Sequence, residues 1–243
     1  MQSTIFSSRE AFITAAAAAI MRLIESSIGE RGSCSLILSG GSTPGDVYRK
    51  LGELLSAARV DPKGLFFFLG DERHVPAGDP ERNATMVEES LFRTFPPLRA
   101  NVHFWGAPPA SPAECAAGYE RILKDFFTDR QRLPDVVLLG LGADGHTASL
   151  FPGGETVDER GRHHPLTPGE SRAALAVWVP LKNFWRLSLS ARFLSSGRAI
   201  IFLAGGPGKE EAIGRLLTGD TTIPAGWIGQ GPHPALSIMY YTP

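Results

Sequence analysis

The chain has 243 residues, with 24 Lys and Arg against 25 Asp and Glu, a formal net charge of -1 and 43% hydrophobic residues. That balance excludes an intrinsically disordered chain, and the lack of a basic excess argues against a nucleic-acid partner. No apolar run reaches the roughly 18 residues that a membrane span needs, and two cysteines, Cys34 and Cys115, are too few for a disulfide scaffold or a cysteine-based zinc site. They suit a reducing, cytoplasmic compartment, with one disulfide between them left open.

Residues 11–21 form an alanine-rich apolar stretch behind Arg9, a pattern that a signal peptide can share. Glu10 abuts it, Arg22 and Glu25 follow soon after, and Phe12, Ala16, Ala19, Leu23 and Ile24 recur at helical spacing, so an amphipathic surface helix over 9–27 is expected instead. Strands then alternate with helices. Strands are expected over 35–38, 65–69, 102–105 and 136–139, and helices over 45–55, 83–91 and 112–127. Beyond them come strands over 174–179, 199–203 and 236–240 and a helix over 209–217. Leu36-Ile37-Leu38, Phe66-Phe67-Phe68 and Val136-Val137-Leu138-Leu139 are continuous apolar runs, the pattern of strands buried on both faces. The alternation predicts an α/β fold with a mostly parallel, Rossmann-like sheet and helices on both faces. Residues 153–170 are polar and rich in Gly and Pro, and read as a surface excursion within one domain spanning 1–243, because the apolar pattern before them needs the strands after them to complete a sheet.

Ligands of open α/β sheets bind where strands end, and four post-strand loops carry chemistry. Gly40-Gly41-Ser42-Thr43-Pro44 follows a strand and opens a helix. Its glycines permit close backbone approach, Ser42 and Thr43 offer hydroxyls and capping, and the helix N-terminus is a possible phosphate site. Asp71-Glu72-Arg73-His74 follows the most apolar strand, and Arg73 can grip a phosphate bidentately or be held by its acidic neighbours. Gly140, Gly142 and Gly145 match a dinucleotide fingerprint with Asp158 at a ribose-like distance, yet they lie mid-chain with no second strand pattern following. The stronger content of that loop is Asp144 beside His146, a carboxylate placed to orient an imidazole, with a helix expected to begin near Thr147. Ala204-Gly205-Gly206-Pro207-Gly208-Lys209 fails the Walker spacing but delivers Lys209 to a helix start. Arg186, ahead of a short alternating strand, is a fifth candidate. No G-x-S-x-G or H-E-x-x-H motif occurs, and the pair His163–His164 is a poor metal site.

Taken in order, three segments resemble the 6-phosphogluconolactonase family. They are Gly40–Pro44, Asp71-Glu72-Arg73-x-Val75-Pro76 with Asn83 soon after, and Gly142-x-Asp144-Gly145-His146-Thr147-Ala148-Ser149-Leu150-Phe151-Pro152. Arg186 and Lys209 fall where that family has a downstream Arg and Lys. Ala143 stands where Pro is common, and Arg186-Leu187-Ser188-Leu189-Ser190 replaces the usual Arg-Ile-Thr-Leu-Thr, with no functional group lost. The resemblance runs from the N-terminal helix to near residue 230. It implies a fold shared with glucosamine-6-phosphate deaminases and ribose-5-phosphate isomerases. It also implies hydrolysis of 6-phospho-D-glucono-1,5-lactone in the pentose phosphate pathway, without metal or organic cofactor. A monomer is expected over an obligate oligomer. His146 and Asp144 would then be catalytic, and Gly41, Ser42, Thr43, Asp71, Arg73, Asn83, Arg186 and Lys209 would bind substrate. The related deaminases follow their Asp-Gly-His with Ile-Ala-Phe-Asn-Glu-Pro, whereas Thr147–Pro152 here lacks the acidic residue that ring opening uses. The same fold also serves sugar-phosphate sensor domains joined to a helix-turn-helix. With the first strand expected near residue 35 and one helix before it, an enzyme is expected.

Overall fold

A computed structural model describes residues 1–158, 160–230 and 236–241. Seven strands form a parallel sheet: β1 (Gln2–Phe6), β2 (Cys34–Leu38), β3 (Leu65–Leu69), β5 (Val102–His103), β6 (Val136–Leu139), β11 (Ala199–Gly205) and β12 (Leu236–Tyr241). Their spatial order is β1-β12-β11-β6-β2-β3-β5. From β2 the chain builds outward through β3 to β5, and from β6 it builds the other way through β11 and β12, so the order reverses between β2 and β6. That switch point opens a crevice at the carboxyl ends of the strands.

The apolar runs account for the layering. Side chains alternate across a strand, and in β3 Phe67 meets Phe92 while Phe66 and Phe68 meet Phe126 on the other face. Phe92 ends the π-helical turn that prolongs α3 (Asn83–Val87), and Phe126 lies in the one that prolongs α4 (Pro112–Leu123). Helices therefore cover both faces, as the unbroken hydrophobicity of β3 requires. The start of α4 is set by a capping box of Ser111 and Glu114, with Pro112 at the first helical position. Tyr119, two turns on, is buried with its hydroxyl bonded to Leu69 and His103 backbone.

The N-terminal helix α1 (Arg9–Arg31) is capped by the Ser8 hydroxyl and ends on Gly32 at φ 73°. At 23 residues it is long and apolar enough to cross a bilayer, which corrects the expectation that no such run exists. Its Phe12, Ala16, Ile20 and Ile24 are fully buried within the core, so the amphipathic reading accounts for its apolar residues. A strand, β1, precedes it, so the first strand does not start near residue 35; β1 is exposed along most of its length and lacks the apolar run that marks the others.

A second sheet was not anticipated. It is antiparallel, in the order β4-β10-β9-β7-β8, from β4 (Asp71–Arg73), β7 (Glu155–Val157), β8 (His163–Pro165), β9 (Ala174–Val179) and β10 (Phe184–Leu189). The 174–179 strand belongs here and not to the parallel sheet. The 153–170 excursion is largely the β7–β8 hairpin, in which His163 pairs with Glu155 and His164 with Asp158. Asp158 also holds Arg162 in that turn, far from any ribose-binding role. The chain passes from one sheet to the other at Gly70, whose N–H bonds Leu38 while its carbonyl accepts from Leu189. The remaining helices are α2 (Ser42–Ala57), α5 (Ala191–Leu194) and α6 (Glu210–Leu217).

Candidate active site

The loops after β2, β3, β6 and β11 meet around a cleft of about 250 Å³ at the switch point. Gly41, Ser42, Thr43, Asp71, Arg73, Asn83, His146 and Lys209 all line it. Asp144 and Arg186 are not in the lining but contact residues that are: Asp144 is bonded to His146, and Arg186 is laddered to Arg73.

The side-chain capping expected of Ser42 and Thr43 is not found. Gly41, at φ 104°, is the residue before α2, and no side chain caps this helix. Among the described residues the Ser42 and Thr43 hydroxyls have no hydrogen-bond partner, and Pro44 brings no N–H of its own. The helix start is thus left open toward the cleft, where its dipole and free N–H groups favour an anion.

Asp71-Glu72-Arg73 forms strand β4 and not a loop, because this segment completes the edge of the second sheet. Pleating separates the three roles. Glu72 is fully buried and accepts from the N–H groups of Arg73, Asn83 and Ala84, capping α3, with Arg82 at 3.4 Å. Burial raises its pKa against those contacts. Asp71 faces the cleft, held by the Asn83 amide at 3.1 Å and the Ser149 hydroxyl at 2.7 Å. Both amide donations of Asn83 go to Asp71, at its backbone oxygen and carboxylate; Asn83 lines the cleft chiefly as a support. Gly40 makes room for it, since a Cβ there would lie 1.9 Å from the Asn83 Oδ1.

Arg73 donates to the Glu81 carbonyl and stands opposite Arg186 in the β4–β10 ladder. Arg186 lies inside β10 instead of preceding it, its guanidinium 4.3 Å from the Phe184 ring. Burial and the neighbouring Arg73 charge both push its pKa down. Lys209, just ahead of α6, is also lowered by burial. Among the described residues neither Arg186 nor Lys209 has a hydrogen-bond acceptor. Cations gathered without acceptors cost stability and suit an anionic ligand.

No helix begins near Thr147. Gly142 donates to the His146 carbonyl and Gly145 to the Gly142 carbonyl, closing a tight turn; Ala148 follows at φ 48°, a strained geometry for a residue with a side chain. The turn presses Asp144 against His146, with Oδ1 2.5 Å from Nδ1 and 3.1 Å from the backbone N. Burial raises the Asp144 pKa, but the hydrogen bonds and charge of His146 outweigh it and lower it overall. An ionised Asp144 keeps the proton on Nδ1, leaving the Nε2 lone pair free, and Nε2 has no partner among the described residues. The ring is stacked on Phe151 at 4.2 Å. Sequence reasoning missed the supporting roles of Ser149, Phe151 and Glu72, although all three lie within the segments that carry the resemblance.

The family model for glucosamine-6-phosphate isomerases/6-phosphogluconolactonase matches residues 7–236. A 6-phosphogluconolactonase of Synechocystis sp. is 31% identical over 221 residues, covering 89% of this chain and 85% of the relative. The solved 6-phosphogluconolactonase of Trypanosoma brucei superposes with a TM-score of 0.79 at 27% identity, covering 99% of this chain and 95% of that one. A monomeric glucosamine-6-phosphate deaminase reaches the same TM-score at 17% identity, covering 99% and 97%, which shows a shared fold. The chain belongs to the glucosamine-6-phosphate isomerase/6-phosphogluconolactonase family.

Proposed function

We propose that this chain hydrolyses 6-phospho-D-glucono-1,5-lactone to 6-phospho-D-gluconate in the oxidative pentose phosphate pathway, with His146 as the general base. The observation that carries the reading is the Asp144–His146 dyad, whose Nε2 has no partner among the described residues: His146 lines one cleft with the acceptor-free Lys209, and Arg186 is laddered to Arg73, which lines the same cleft. The relatives named 6-phosphogluconolactonase support the substrate.

Nε2 takes a proton from water as the water oxygen bonds to C1 of the lactone. The tetrahedral oxyanion that forms needs donors, and the cleft offers Arg73 and the N–H groups of its glycine loops. The C1–ring-oxygen bond then breaks, and the imidazolium returns its proton to the departing ring oxygen. Asp144 fixes the tautomer and steadies the imidazolium. General-base assistance of this kind contributes about 10²–10⁴-fold. Arg186, Lys209 and the open start of α2 hold the phosphate, and that remote binding fixes C1 beside the base. On this reading the residues act as one domain, as a cytoplasmic monomer, and need no metal or organic cofactor.

The test is a coupled assay in which glucose-6-phosphate dehydrogenase makes the lactone in place and its loss is followed against spontaneous hydrolysis. Wild type should outrun that background at catalytic concentration, and His146→Ala should fall to near it while staying folded. Ammonia release from glucosamine-6-phosphate, with no effect on the lactone, would replace this reading with the deaminase one.

A further inference from the structure

The hairpin between β9 and β10 ends over the catalytic turn. A 3-10 turn, Pro180–Lys182, leads into Asn183 at φ 51°, and this reversal sends neighbouring side chains in opposite directions. Leu181 is 93% exposed, whereas the Lys182 ammonium sits 4.6 Å from the centre of the Phe151 ring. Phe151 is the ring on which His146 stacks. Phe184, at the start of β10, braces Phe151 edge-on at 6.2 Å. These contacts place the ammonium within about 9 Å of the imidazole. The Lys182 charge is also among the lesser influences that lower the Asp144 pKa.

We infer that Lys182 is a positioning residue for His146. Docked on Phe151, its ammonium holds the ring against which the imidazole stacks and opposes a second positive charge beside it. This inference rests on the general-base reading of His146. An ammonium over an aromatic face is attracted by the ring quadrupole, so the contact is favourable even at an exposed site. The charged groups around the imidazole are Asp144 in its own turn, Asp71 and Arg73 from β4, Lys209 ahead of α6, and Lys182 from the hairpin tip. Asp144 favours the imidazolium and Lys182 disfavours it. Removing Lys182 therefore tips the balance toward the protonated, inactive base.

The experiment compares kcat/KM from pH 5 to 9 for wild type, Lys182→Gln and Lys182→Arg. At the separation above, with water close by, one charge moves a titration by about half a pH unit. Relative to its own plateau, the acid limb of Lys182→Gln should move to higher pH by that amount, about threefold in kcat/KM on the limb. Lys182→Arg should restore the wild-type limb, and 1 M salt should shrink the displacement, because the screening length falls to about 3 Å. A Lys182→Gln limb that superimposes on wild type, or a uniform loss at every pH, overturns the inference. The His146 ring resonances in isotope-labelled protein, titrated in parallel, report the same displacement without turnover. A wild type inactive on the lactone would thus refute the lactonase reading while the ring titration still decides the role of Lys182.

Discussion

Gly142 offers the sharpest separation of site from scaffold. A Cβ on this residue would lie 2.0 Å from the His146 Nδ1, 2.2 Å from its Cε1 and 2.7 Å from the Asp144 Oδ1. Ordinary contact begins at 3.4 Å, so in Gly142→Ala the imidazole must retreat by more than 1 Å or leave Asp144. The backbone itself accepts alanine, since Gly142 is not among the residues with positive φ. A misplacement of about 1 Å at a reacting group costs on the order of 10²-fold, and loss of the base up to about 10⁴-fold. The coupled lactone assay should therefore show kcat/KM down by about 10²–10⁴ in Gly142→Ala, with a Tm within a few degrees of wild type. Gly145→Ala is the contrasting variant. Its φ is 80° and its Cβ would meet the Ile223 side chain at 2.6 Å, so it should lose about 1–3 kcal/mol of stability by strain and overpacking. A folded Gly142→Ala enzyme within threefold of wild type would refute the argument that the dyad packs directly on this α-carbon.

Arg186→Met should raise KM by about 10–100-fold, the worth of a charged hydrogen bond to phosphate, while the Tm holds or rises because like-charge crowding with Arg73 is relieved. A lower Tm with unchanged KM would assign Arg186 to the scaffold. Asp220 is lowered to about 2, chiefly by the Thr222 hydroxyl and Arg215. Its contribution is present above the ordinary carboxylate value of 3.8 and is lost as pH falls through about 2. Acid unfolding of Asp220→Asn should accordingly be shallower across that window, and an unchanged slope would contradict the assignment. Cys34 is fully buried, and burial pushes its thiol up to about 12. A thiol reagent at pH 8 should label it only after unfolding; labelling at native rates would show that β2 opens locally.

Much of the site could be read without coordinates because its parts are local. Asp144, Gly145 and His146 form their turn from adjacent residues, and Gly41 and Pro44 shape the start of α2 within one helical turn. The buried strands β2, β3 and β6 were legible for the same reason, since a strand covered on both faces must be apolar throughout. Strands β4, β7 and β8 were not, because they have three residues each and carry no apolar run. The hydrogen bonds of Asn83 are hidden from local sequence in the same way, because its amide donates to Asp71 on a neighbouring strand.

Periodicity and turn chemistry act over a few residues, and they suffice for the alternation of strand and helix, the covered parallel sheet and the residue types that gather at its carboxyl edge. Tertiary structure alone decided which of those residues meet. The β4–β10 register sets Arg73 against Arg186, a hairpin from a different sheet brings Lys182 to Phe151, and the order reversal between β2 and β6 opens the cleft. Such contacts join residues tens of positions apart, and their free energy comes from packing and pairing that no local pattern encodes.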